Sequence, residues 1–179
     1  MQSASVTPAD LECAIRNVPD FPQPGIQFKD ITPVLGDARL FDGCVTLLTG
    51  HHRPGTIDAV AGIDARGFIL AAAVAVQLQT AFVPIRKKGK LPFHTLEQSY
   101  ALEYGVNTIA IHTDALRPGS RVLLVDDLLA TGGTAAAAAA LLRRLEVQIV
   151  EVTFLIELCF LKGRAQLAGL PVRSLVAYP

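Results

Sequence analysis

Apolar positions follow a helical spacing in two N-terminal stretches and then alternate between dense β-type runs and helices. Pro8 to Val18 predicts a short helix, with Thr7 as its cap, Pro8 in its first turn, and Leu11, Ala14, Ile15 and Val18 on one face. Pro19, Pro22, Pro24 and Gly25 predict an irregular connector. Asp37 to His52 is helical again and stops at Pro54-Gly55. Further on, strands are expected at Ala59–Ile63, Ala81–Arg86, Ser99–Glu103, Asn107–His112, Arg121–Val125, Val147–Glu157 and Val172–Ala177. Helices are expected at Phe68–Leu78, Thr134–Leu145 and Lys162–Leu167, the second with an alanine run of high intrinsic propensity. Strands alternating with helices define an α/β fold, a central, mostly parallel twisted sheet flanked by helices. Such sheets bind ligands at the carboxyl ends of their strands, here after Ile63, Ile85 and Val125.

At 179 residues the chain is expected to form a single domain, 1–179. A hydrophobic fraction of 51% excludes a disordered polymer. The formal net charge is zero, so no global field draws nucleic acid or an anionic membrane, and anion binding must come from local clusters. Cys13, Cys44 and Cys159 are too scattered for a disulfide framework or a metal site and are expected to be buried thiols in a reducing compartment. Met1 to Asp10 carries no basic-then-apolar leader, and no apolar run reaches the roughly 20 residues of a membrane span. The expectation is a cytoplasmic protein. His51, His52, His94 and His112 are scattered or exposed in pattern and form no site.

The segment Val122 to Thr134 carries the most chemistry. A buried strand delivers Asp126 and Asp127 to its exit, followed by a loop of small residues, Ala130 to Thr134, and a helix start. With little side-chain bulk, the backbone N–H groups of Ala130, Thr131, Gly132, Gly133 and Thr134 can approach a phosphate, helped by two hydroxyls and the positive end of the helix. Two carboxylates beside such a nest suit a ligand that also carries vicinal hydroxyls, which donate well to carboxylates. A ribose 5-phosphate unit has both groups. The string is neither a Walker A loop nor a dinucleotide fingerprint.

This string closely resembles the motif by which type I phosphoribosyltransferases bind 5-phosphoribosyl 1-diphosphate (PRPP). The resemblance runs from Asp20 to about Leu175 and is strongest to the adenine-using members of that family. It is carried by Phe21–Gly25, Phe28–Pro33, Gly62–Phe68, Arg86–Pro92, Tyr100–Gly105, the PRPP motif and Leu161–Arg164. It implies a type I phosphoribosyltransferase fold with a small N-terminal hood over about 1–35, a core over about 36–179, and a flexible catalytic loop. The implied reaction is transfer from PRPP to adenine, giving AMP and diphosphate in purine salvage. Asp126 and Asp127 would take the ribose hydroxyls and Ala130 to Thr134 the 5-phosphate.

Three further segments are ambiguous by themselves. Asp64-Ala65-Arg66-Gly67 places a guanidinium and helix-start amides at a strand end, which suits a diphosphate, although an arginine there can simply be solvated. Arg86, Lys87, Lys88 and Lys90 form a basic cluster that reads as a solvated loop, a nucleic-acid patch or a lid over a polyphosphate. Glu103 is either a surface-strand acid or a proton acceptor near a base. The resemblance implies that Asp64, Ala65, Arg66, Arg86, Lys87 and Lys90 contact the pyrophosphate and that Glu103 and Arg66 serve catalysis. It further implies that Phe28, Lys29 and Tyr104 contact adenine. Mg²⁺ is the expected cofactor, held mainly by the substrate and not by side chains. A homodimer is expected, without nucleic-acid or membrane partners. Two alternatives stay open: a regulator that keeps the fold without catalysis, and the same transfer to another base.

Overall fold

The computed structural model describes residues 5–101 and 105–179. The chain divides into two compact units, 1–47 and 48–179.

In the first unit, α1 (Pro8–Ala14) is capped as expected by Thr7, whose side chain receives the Asp10 amide while Asp10 returns a bond to the Thr7 amide. The helix stops at Ala14, short of Val18. Ile15 is already extended, and Arg16–Pro19 forms β1, paired antiparallel with β2 (Gln27–Asp30). Pro19 restricts Val18 to extended backbone, so the stretch read as the helix's last turn becomes a strand. The proline-rich connector is the loop of this hairpin and contains a cis Phe21–Pro22 bond. Next come α2 (Thr32–Leu35) and α3 (Ala38–Thr49), whose first turn is bonded to the Asp37 carboxylate.

The second unit carries β3 (Ala59–Ile63), α4 (Arg66–Gln77), β4 (Ala81–Lys87), β5 (Thr95–Ala101), β6 (Val106–His112), β7 (Arg121–Leu129), α5 (Gly133–Arg144), β8 (Gln148–Leu158) and β9 (Val172–Tyr178). They build one seven-stranded sheet in the order β5-β6-β4-β3-β7-β8-β9. From β4 to β9 all neighbours are parallel, while β6 is antiparallel to both β4 and β5. This is the mostly parallel α/β sheet expected from the alternation of strands and helices. β3 is buried throughout, as a strand covered on both faces must be. Ala59, Ala61 and Ile63 join the core formed with Ala135, Ala138, Leu141 and Leu142 of α5. Gly62 points the other way, where a Cβ would overlap Ala71 of α4. The alanine run therefore lets α5 pack closely on the sheet, and Gly62 does the same for α4.

Several boundaries move. β7 continues four residues past Val125, because Asp126, Leu128 and Leu129 stay in ladder with β8. β5 starts at Thr95, four residues before the strand expected from Ser99, because Glu97 and its neighbours pair with β6. The helix expected at Lys162–Leu167 is a pair of 3₁₀ turns, Cys159–Leu161 and Gly163–Leu167. Two of the three thiols, Cys13 and Cys159, are exposed, on the outer side of α1 and in a terminal turn. Cys44 is buried within α3, and burial pushes its thiol up to about 12. Among the described residues, no helix is long and apolar enough to cross a membrane.

His52 is buried, contrary to its sequence pattern. Its Nε2 lies 3.3 Å from Glu151, which also receives Arg173 at 2.9 Å, and Arg173 donates to the Leu48 carbonyl. Burial raises the Glu151 carboxyl, but the bonds from Arg173 outweigh it and hold the group below its ordinary value. A depressed carboxylate contributes stability above its unfolded pKa and loses it as pH falls through the folded one. Arg173→Met should therefore cost about 3 kcal/mol in denaturant unfolding at pH 7, by stranding a buried carboxylate. The deficit should shrink as the pH is lowered through the carboxylate range.

Candidate active site

Parallel pairing brings the carboxyl ends of β3, β4 and β7 to one edge of the sheet. A cavity of about 270 Å³ opens there. It is lined by Asp64, Ala65 and Arg66 after β3, by Asp126 and Asp127 of β7, and by Ala130, Thr131, Gly132 and Thr134 of the following loop. Gly133 faces an adjoining cavity of about 410 Å³ between β5 and α5, which shares Tyr100 and Thr131 with the first. The two acids lie within the strand and not beyond its exit, so the sheet fixes their backbone.

The loop is shaped by Gly132, which enters α5 at φ 84°, a conformation that favours glycine. The first amides of α5 have no intrahelical acceptor, and no side chain caps them. Those N–H groups and the helix's positive end face a cavity that two threonines also line. Such an arrangement suits an anion and forms a candidate nest.

Asp127 is almost fully buried, and its carboxylate forms an ion pair with the Arg66 guanidinium. Asp126 Oδ1 accepts the Asp127 amide at 2.9 Å. Burial, and after it the charge of Asp127, pushes the Asp126 carboxyl well above its ordinary value. Gly67, at the start of α4, permits this placement, since a Cβ there would overlap Asp126 Oδ1. The Asp64–Ala65 peptide bond preceding α4 is cis. Asp64 receives Arg86 Nε at 3.2 Å, and Arg86 also donates to the Lys90 carbonyl at 3.0 Å. A row of cations and acids therefore runs from the β4 exit to β7.

Of the residues singled out from sequence, Asp64, Ala65, Arg66, Asp126, Asp127 and the loop 130–134 gather around these two cavities. Arg86 joins them through Asp64. Lys87, the last residue of β4, and Lys90, in the turn after it, are exposed and do not line either cavity. Lys88 pairs with Glu97 at 2.7 Å, which gives part of the basic cluster an internal counter-charge. Phe28 and Lys29 lie on β2 of the first unit, Phe28 edge-on to Phe21 and Lys29 donating to Asn17 at 2.6 Å. Burial lowers the Lys29 ammonium below its ordinary value. Glu103 and Tyr104 lie outside the described residues.

Tyr100 and Gly67 lie in segments singled out from the sequence, but neither had a part in the site assigned to it. Tyr100 lines both cavities, and only the β5–β6 register, which sets it opposite Asn107, places it there. Gly67 was legible in principle, since a glycine in a helix's first turn forgoes about 1 kcal/mol against alanine and implies a close neighbour.

A two-sided α/β sheet with an acidic pair and uncapped helix amides at its strand ends offers the groups that a sugar phosphate needs. Residues 36–167 match the phosphoribosyl transferase domain. The chain is 56% identical over 162 residues to the adenine phosphoribosyltransferase of Acidothermus cellulolyticus, covering 90% of this chain and 92% of that one. Its fold superposes on the crystal structure of the Thermoanaerobacter pseudethanolicus adenine phosphoribosyltransferase with a TM-score of 0.92 and 46% identity, over 96% and 100% of the two chains. For the Saccharomyces cerevisiae enzyme, solved with an imino-altritol bisphosphate and adenine, the TM-score is 0.88 at 38% identity, over 94% and 97%. The chain belongs to the phosphoribosyl transferase family and, within it, to the adenine phosphoribosyltransferases.

The raised Asp126 carboxyl has a consequence for stability. A carboxyl raised above its unfolded value stabilises the folded state below the unfolded pKa, and that contribution is lost as pH rises through the folded one. Asp126→Asn, which keeps an acceptor for the Asp127 amide, should melt a few degrees higher than the parent at pH 8. The gap should close as the pH is brought down towards 4. Thermal denaturation across that range measures it.

Proposed function

We propose that the protein transfers the 5-phosphoribosyl group of PRPP to adenine, releasing AMP and diphosphate, and so works in purine salvage. The observation that carries this reading is the nest and acidic pair at the end of β7, facing Arg66 across one cavity. Asp126 and Asp127 accept the ribose hydroxyls, and the amides and hydroxyls of Ala130 to Thr134 hold the 5-phosphate. Asp64, Ala65 and Arg66 form the diphosphate end, with Arg86 and Lys87 at the end of β4 and Lys90 in the turn beyond it supplying further cations. Arg66 exchanges Asp127 for phosphate oxygens when substrate enters. Phe28, Lys29 and Tyr104 hold the adenine.

In the transfer, adenine N9 bonds to ribose C1 as the C1–O bond to diphosphate breaks, and the leaving group takes that electron pair. Positive charge builds on the ribose ring, as in other glycosyl transfers. Arg66 and the basic residues at and after the end of β4 neutralise the departing diphosphate. The base loses one proton, for which Glu103 is the acceptor.

Among the described residues, no group of three or more His, Cys, Asp or Glu side chains is arranged to hold a metal. A magnesium ion held mainly by the diphosphate oxygens would need few protein ligands, which fits a site without a carboxylate cage. Such an ion supplies charge neutralisation at the leaving group. The outer face of α4 leaves Ile69 and Val76 exposed, which favours a homodimer covering that helix. We place the enzyme in the cytoplasm.

Incubation with PRPP, Mg²⁺ and one purine base at a time tests the reading. AMP should form from adenine, and Arg66→Gln should lower kcat/KM about a hundredfold, as expected for loss of a charge-stabilising donor. Turnover of an oxopurine in preference to adenine, or binding of PRPP without turnover, would contradict it.

A further inference from the structure

The segment Leu161–Arg164 has no part in the site as built so far, yet it touches the nest from behind. Glu157 sits near the end of β8 and pairs in register with Leu129, the residue before Ala130. Its carboxylate is buried and receives Arg164 through two parallel bonds of 2.7 Å, from Nε and Nη2. Arg164 also donates to the Val172 carbonyl at 2.9 Å and to Ser174 Oγ at 3.3 Å on β9. The guanidinium thus ties the second 3₁₀ turn to two strands at once, in the forked geometry that arginine alone supplies.

That turn begins with Gly163, which is buried. A Cβ at Gly163 would overlap the Ala130 carbonyl oxygen and lie 3.1 Å from the Gly132 amide nitrogen. From the other side, a Cβ at Gly132 would overlap the Gly163 carbonyl. Backbone therefore rests on backbone, with no side chain between to absorb a shift. The height of the loop is set by where Gly163 lies, and Gly163 lies where Arg164 holds it.

We propose that the Glu157–Arg164 pair positions the phosphate loop, by seating Gly163 against the backbone of Ala130 and Gly132 and so fixing the amides that receive a phosphate. Neither residue touches substrate in this arrangement. Both are positioning residues, and the inference rests on the reading of the nest as the 5-phosphate site. The diphosphate end, at Asp64 to Arg66, is built on β3 and α4 and does not depend on this turn.

The two ends of the site can be titrated separately, with ribose 5-phosphate for the nest and inorganic diphosphate for the other end. Gly163→Ala should weaken ribose 5-phosphate by about tenfold or more, the scale of one charge-assisted hydrogen bond, and leave diphosphate within about twofold. Arg164→Gln should show the same split, and Arg164→Lys a smaller one, since lysine restores the charge without the fork. Thermal melting establishes that each variant is folded; should Gly163→Ala not fold, Arg164→Lys carries the test through the same split. Parallel weakening of both ligands, or unchanged affinity for ribose 5-phosphate, would overturn the proposal. Failure of the unaltered protein to bind ribose 5-phosphate would overturn the reading of the nest, and this inference with it.

Discussion

Two neighbouring carboxylates held in a partly dry cavity repel one another, and the site is organised around that repulsion. Asp126 and Asp127 are carried into the sheet's edge by a strand that stays in ladder beyond them. Asp127 is satisfied by the Arg66 guanidinium, while Asp126 has its carboxyl raised by burial and by its neighbour's charge. A protein selected only for stability would place one acid or none at such a position. The pair becomes useful when a ligand brings hydroxyl donors to both.

The surrounding architecture holds that tension in place. Parallel pairing of β3 with β7 puts Arg66 across from the acids, and Gly67 removes the side chain that would push Asp126 aside. The small residues after β7 let the chain turn at Gly132 into α5, which offers free amides next to the carboxylates. Acids at the end of β7 and free amides at the start of α5 thus lie a few residues apart, negative and positive groups side by side. Behind the loop, Glu157 and Arg164 bind the 3₁₀ turn whose backbone abuts Ala130 and Gly132. At the amino ends of the strands, the buried His52–Glu151–Arg173 cluster is a separate electrostatic unit with no part in this site.

Much of this was legible in the chain because local chemistry and tertiary placement coincide there. The acidic pair, the small-residue loop and the alanine helix follow one another in sequence, so their geometry needs only a strand, a turn and a helix. The seven core strands were legible from apolar runs and alternation. What escaped depended on pairing partners. β1 looked like the end of α1 because Val18 fits a helical face, and only β2 makes it a strand. Thr95 to Gln98 fell outside the strand expected from Ser99, because the residues that order them lie on β6. His52 was read as surface because Glu151, its partner, lies far along the chain. Tyr100 was missed for the same reason, since edge-strand register and not composition turns it towards the cavity.

In the proposed reading, the loop 130–134 and the acidic pair together hold a ribose 5-phosphate unit. A crystal structure of the protein with AMP bound tests it most directly. The account predicts the phosphate within hydrogen-bond distance of the backbone amides between Ala130 and Thr134, with ribose hydroxyls on Asp126 and Asp127 and the Arg66–Asp127 pair opened. A phosphate bound at the basic turn after β4, with Arg66 still closed on Asp127, would contradict it.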